Sequence, residues 1–76
     1  MNAAYVLVSF NKADFTDALP AIRGIKGVKQ AHLLAGDIDG IVYIEGQDLA
    51  EVGDTIMEIR AIDGVASTDT RIAWPD

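Results

Sequence analysis

A chain of 76 residues, half of them apolar and none of them cysteine, has material for one small domain and none for a disulfide framework, a thiolate metal site or thiol chemistry. Its net charge is −6 and its six Lys and Arg residues are scattered, so the basic stripe that binds phosphate backbones is missing and no direct contact with nucleic acid is expected. The opening stretch MNAAYVLVSF has neither the basic region of a signal peptide nor an apolar run of membrane-spanning length, which makes the expected location cytoplasmic, with no membrane partner.

The run Ala4 to Phe10, rich in β-branched and aromatic residues, predicts a strand buried on both faces. Phe15, Ala18, Leu19 and Ile22 then fall at spacings of three and four, the stripe of an amphipathic helix that Asn11 or Asp14 could cap. Pro20 inside that stripe predicts a kink or a late start, because it has no N–H for the carbonyl four residues back. Gly24 and Gly27 end the helix, and Val28 to Ala35 reads as the second strand. Gly36 to Gly40, GDIDG, is a turn by composition, so Ile41 to Glu45 returns as an antiparallel strand. Asp48 and Glu51 form a capping-box pair ahead of Leu49, Val52, Ile56 and Ile59, predicting a second helix that ends near Arg60 or Ala61. Gly64 breaks it, and Val65 to Trp74 is the last strand, with Trp74 expected to pack against the sheet or a neighbouring subunit.

The stretch IRGIKGV, beginning at Ile22, returns as IRAIDGV beginning at Ile59, 37 residues later. The same shift lays Ala4–Ser9 on Ile41–Gly46 and Val28 on Val65, so each half is one βαβ unit. Two such units give an α+β, ferredoxin-like βαββαβ sandwich: a four-stranded antiparallel sheet with two helices on one face. Tyr5, Leu7 and Ser9 point one way from the first strand and Ala4, Val6, Val8 and Phe10 the other, and in the third Ile41 and Tyr43 oppose Val42 and Ile44. Both faces are apolar, helices can cover only one of them, and the other is left bare with Leu33 or Leu34 added. A small domain with so apolar a bare face is expected to dimerise through the sheet.

The βαββαβ order, the Ile-x-Gly-Val after the first helix, the Gly-Asp-Ile-Asp of Gly36–Asp39 and the Gly-Val-x-Ser-Thr-x-Thr of Gly64–Thr70 together resemble the ligand-binding (RAM) domain of the Lrp/AsnC transcriptional regulators. The resemblance runs from Ala4 to Trp74 and makes residues 1–76 a single such domain. It implies a homodimer or higher homo-oligomer that binds a small-molecule effector, commonly an amino acid, in clefts between subunits. Full-length members carry an N-terminal helix-turn-helix; here the first strand begins within a few residues of Met1, so the expectation is a stand-alone effector domain that could co-assemble with a full-length Lrp/AsnC homologue. The family usually has Thr before the hairpin Gly and an aromatic before its Asp, where this chain has Ala35 and Ile38, a departure that bears on which ligand is taken.

The candidate ligand residues are Gly36, Asp37, Asp39, Thr68 and Thr70. Backbone donors near Gly36 could meet a carboxylate, Asp39 an ammonium, and the threonines offer hydroxyls. The competing structural account is a Gly/Asp turn and an ordinary strand with alternating threonines. Asp37 and Asp39 supply two carboxylates where calcium takes six or more oxygens, so no metal is expected, nor any cofactor. His32 shares a side with Gln30 and Leu34 and has no partner that would make it a general base. No catalytic motif is present, and an enzyme is not the leading expectation. The alternatives are a small dimeric α+β-barrel enzyme of the cofactor-free oxygenase or isomerase type, which would need a cavity pairing His32 or Tyr43 with a polar partner, and an ACT-like amino-acid-binding domain. RNA recognition by the sheet is disfavoured by charge and by the missing aromatic and basic pattern, and a heavy-metal carrier would need cysteines.

Overall fold

Alternation along the first strand decides the architecture: Ala4, Val6, Val8 and Phe10 are buried, while Tyr5, Leu7 and Ser9 between them are not. The computed structural model describes residues 1–11 and 15–74, so the capping expectation for Asp14 and the side chain of Phe15 lie outside the described part. Its elements are β1 (Asn2–Phe10), α1 (Phe15–Arg23), β2 (Val28–Leu33), β3 (Gly40–Gly46), α2 (Leu49–Arg60) and β4 (Val65–Ile72). The strands form one antiparallel sheet in the order β2-β3-β1-β4, which is the ferredoxin-like sandwich expected.

One face of the sheet meets the helices. Val6 and Val8 on β1, Val42 and Ile44 on β3, Ile22 on α1, and Val52 and Ile59 on α2 are its largest fully enclosed side chains. Burying each contributes roughly 1.5–3 kcal/mol relative to leaving it in water. Helix α1 has nine residues with Pro20 inside, on the exposed side, so the carbonyl it leaves without a donor belongs to the solvent-facing Thr16. Helix α2 is capped as expected: the Glu51 N–H donates to Asp48 Oδ1 at 2.9 Å, and Glu51 Oε1 accepts from the N–H of Gln47, one residue before the cap, at 2.9 Å.

At the helix-to-strand turns the sequence repeat is a structural repeat; between β1 and β3 it is out of register, since the same shift lays the buried Val6 and Val8 on Tyr43 and Glu45, which are not buried. After each helix the chain turns onto a strand through a glycine of positive φ, Gly27 at 100° and Gly64 at 97°. The bonds match as well: Ile25 N–H to the Ile22 carbonyl and Val28 N–H to that of Ile25, then Ile62 to Ile59 and Val65 to Ile62. At the first of these turns the buried Thr55 hydroxyl lies 3.2 Å from the Glu51 carbonyl and 3.3 Å from that of Lys26, tying the turn to α2.

Two strands end earlier than expected. β2 stops at Leu33 rather than Ala35, because the Leu34 N–H donates to the Asp39 carbonyl and begins the hairpin loop. β4 stops at Ile72 rather than Trp74, although the Ala73 N–H still reaches the Ala3 carbonyl at 2.9 Å. Trp74 is 91% exposed and does not pack on its own sheet.

Two glycines give opposite predictions. A Cβ on Gly27 would sit 2.6 Å from Thr55 Oγ1, on a backbone that L residues avoid, whereas Gly53 lies inside α2 with open space above it. Gly27→Ala should therefore lower unfolding stability by roughly 2 kcal/mol or more, and Gly53→Ala should raise it by about 0.5–1 kcal/mol. Urea denaturation at one fixed protein concentration checks both; a destabilised Gly53→Ala protein would show that the outer side of α2 is occupied.

Candidate functional site

The hairpin between β2 and β3 is held by one residue. The Asp39 N–H donates to the Val8 carbonyl at 3.2 Å, its carbonyl accepts from Leu34 at 2.8 Å, and its Oδ2 accepts from the Phe10 N–H at 2.9 Å. The β1–β3 pairing ends at Val8–Gly40, so the half-buried Asp39 satisfies the next β1 donor in place of a strand carbonyl. Its Oδ1 has no hydrogen-bond partner among the described residues. Gly36 and Asp37, at the tip, are exposed.

Thr68 and Thr70 lie on the other flank of β1, paired with Val8 and Val6. Those valines face the helices, so the threonines do too, and they line a groove of about 500 Å³ between β4 and α2 with Ile56, Arg60, Val65 and Ser67. The five candidate residues thus form two groups within one chain: a hairpin beyond one side of β1 and a hydroxyl-lined groove behind β4. The hairpin does not line the groove. Arg60 escaped the sequence reading, although the 37-residue shift places it on Arg23.

The uncovered sheet face is less apolar than the strand runs suggest. Register puts Gln30, Tyr43, Tyr5 and Arg71 in one row across the sheet and His32, Ile41, Leu7 and Asp69 in the next. The Tyr5 and Tyr43 rings lie 5.1 Å apart, tilted by 48°. The Tyr43 hydroxyl donates to Glu45 Oε2 at 2.9 Å, and losing that bond together with the adjacent carboxylate's charge holds the phenol above its ordinary value. Arg71 forks onto Asp69 at 3.1 and 2.8 Å, which lowers the carboxyl and raises the guanidinium. Leu33 follows the parity of the buried Ala31, not that of His32, so only Leu34 remains as an addition to this face.

A second groove, about 410 Å³, opens where β2 begins and β3 ends, with Lys26 and Lys29 among its lining residues and Glu51, Asp54 and Glu58 from α2. No group of three or more His, Asp or Glu among the described residues could hold a metal ion. No described helix is long and apolar enough to cross a membrane.

Comparison with known proteins agrees with this geometry. Among solved structures, FFRP-DM1 matches with a TM-score of 0.89 at 27% identity, over 97% of this chain and 100% of that one. A feast or famine regulatory protein from M. tuberculosis, complexed with L-methionine, matches with a TM-score of 0.84 at 18% identity, over 100% of this chain and 52% of that one. A homocitrate synthase from Sulfurisphaera tokodaii is 42% identical over 48 residues, 63% of this chain and 10% of the synthase. The chain thus spans about a tenth of the length of the curated relatives it matches. A family model described as "Lrp/AsnC ligand binding domain" matches residues 3–74, nearly the whole chain. The βαββαβ sheet, the hairpin and the matched family model all point one way, and the chain belongs to the Lrp/AsnC ligand-binding domain family.

Proposed function

We propose that this chain is a non-enzymatic module that binds a small molecule, an amino acid, in a cleft between copies of itself, and that copies associate through the uncovered sheet face. The observation that carries the reading is the state of Asp39: one carboxylate oxygen is fixed by the Phe10 N–H, while the other has no partner among the described residues. A carboxylate held in this way is pre-oriented to accept from a ligand ammonium, a charge-assisted bond that needs no rearrangement. The hairpin and the threonine groove lie apart within one chain, which supports a cleft completed by a second copy. The regulatory protein that holds L-methionine supports the amino-acid class. Family membership supports a regulatory role exercised with a DNA-binding Lrp/AsnC homologue, which completes the reading.

Association has a physical basis in the half-buried Leu7, Ile41 and Tyr43 and the 44% exposed Tyr5 at the centre of the bare face. Covering several hundred Å² of apolar surface contributes on the order of ten kcal/mol before the costs of association. Four of the surrounding polar groups are already paired, Tyr43 with Glu45 and Asp69 with Arg71, which lessens the cost of removing water from them. Trp74, without a place on its own sheet, would find one against the neighbouring copy.

Light scattering at micromolar concentration should give a dimer or a multiple of it, and Leu7→Glu, which puts a charge at the centre of the face, should give monomers. A wild-type monomer overturns the association. For the ligand, calorimetry against a panel of L-amino acids should find a binder that Asp39→Asn weakens about tenfold or more, since the amide still accepts from Phe10 but no longer offers a charge. Equal affinity in wild type and variant would leave Asp39 a hairpin residue only. The pure protein should give no gel retardation of DNA at any salt concentration, because its cations form no stripe.

A further inference from the structure

The groove behind β4 has a counterpart at the opposite edge of the sheet. There, a hollow of about 350 Å³ is lined by Arg23, Val28, Gln30, Ala31 and neighbours on β2. The 37-residue shift carries those four onto Arg60, Val65, Ser67 and Thr68, all of which line the β4 groove. Each arginine closes its helix, α1 or α2, and each hollow lies beside an edge strand. The two are one site built twice, and they differ in how the arginine is used.

At the β2 edge, Arg23 Nε and Nη2 both donate to the Ala31 carbonyl, at 3.1 and 2.7 Å. The guanidinium fork is thereby committed to the backbone of its own chain. At the β4 edge Arg60 is exposed and has no hydrogen bond or ion pair among the described residues. Ala31 and Leu33 are replaced there by Thr68 and Thr70. These are hydroxyls on the helix side of the sheet, where β1 and β3 carry only apolar side chains at Val6, Val8, Val42 and Ile44. The groove is also larger, about 500 Å³, and Ile56 gives it an apolar wall.

We infer that the β4 groove is a carboxylate subsite, with the Arg60 fork taking both oxygens of the ligand and the Thr68 and Thr70 hydroxyls donating from the strand. Guanidinium and carboxylate match in plane and spacing, and hydroxyls beside them accept or donate as the ligand requires. A single arginine balances a single negative charge. A dianion such as phosphate would bring a surplus charge into a protein already at −6, which disfavours it. The assignment deepens the amino-acid reading above and rests on it for the rest of the ligand: the ammonium goes to Asp39 and the carboxylate to Arg60 and the threonines, in place of the backbone around Gly36.

The test uses the full chain and sodium acetate as the probe for the carboxylate alone, followed by ¹H–¹⁵N NMR. The Arg60 Nε–H and the Thr68 and Thr70 amides should shift saturably with acetate and not with methylammonium chloride at the same ionic strength. Arg60→Gln should weaken the acetate response at least tenfold, Arg60→Lys less, and Lys29→Gln, which removes an equal charge at the β2 edge, not at all. Shifts that never saturate, or that survive Arg60→Gln, overturn the subsite. Phosphate saturating these signals at lower concentration than acetate overturns the carboxylate class. The two readings separate in calorimetry with L-amino acids. If none binds while acetate still saturates the Arg60 signal, the amino-acid reading falls and the subsite stands. If one binds and Arg60→Gln leaves its affinity unchanged, the subsite falls and the reading stands.

Discussion

Four strands need covering and the chain has two helices, so one face of the sheet is buried and the other is not. Most of the molecule follows from that inequality. The helix side is filled by small β-branched residues, Val6, Val8, Val42 and Ile44, because a sheet and two short helices leave room for little else. The open side carries rings and charges instead, and its charges come as neighbours: Arg71 beside Asp69 on one strand, Glu45 two residues from the Tyr43 hydroxyl on another. A surface whose polar tips satisfy each other can sit in water or against protein with little difference in hydrogen bonding.

Element order was legible because each signal was local. A short apolar run rich in β-branched and aromatic residues marked β1, although only one of its faces is buried where both were expected, the Asp48/Glu51 pair marked the start of α2, and Gly27 and Gly64 marked the turns onto β2 and β4. What escaped depended on bonds between residues far apart in sequence. Asp39 reads as a turn residue, but its carboxylate reaches Phe10, 29 positions away, and with its backbone it shortens β2 by taking the bond of Leu34. The face on which Thr68 and Thr70 stand depends on their pairing with Val8 and Val6, and a register shift near Ser9 and Phe10 intervenes before Val65. No alternation count reveals such a shift. Trp74 needed a surface that a single sheet does not offer, so its position could not follow from its own neighbourhood.

The repeat shows which parts of a βαβ unit are constrained and which are free to change. The helix-to-strand turn is kept in both halves, down to the same hydrogen bonds and a positive-φ glycine, because any other residue there is strained and, at Gly27, collides with α2. The edge strands are under no such demand. β2 and β4 each pair on one side only, and their outer halves can take polar residues without breaking the core. At the edges, Ala31 and Leu33 in one half correspond to Thr68 and Thr70 in the other.

The closure of the sheet at its far end has a mechanical meaning. Asn2 pairs with Gly46 and Ala73 bonds to Ala3, so the beginning of β1 and the end of β4 lie on adjacent strands and leave the sheet at the same end. Any polypeptide continuing from either terminus departs from one spot, opposite the Asp39 hairpin, along the length of β1. A tether there attaches to β1 and β4, the two strands farthest in the sheet order from β2, and its load enters the sheet at the end away from the β2–β3 hairpin. The domain can therefore hang from another protein by a single point of attachment while the Asp39 hairpin stays at the free end.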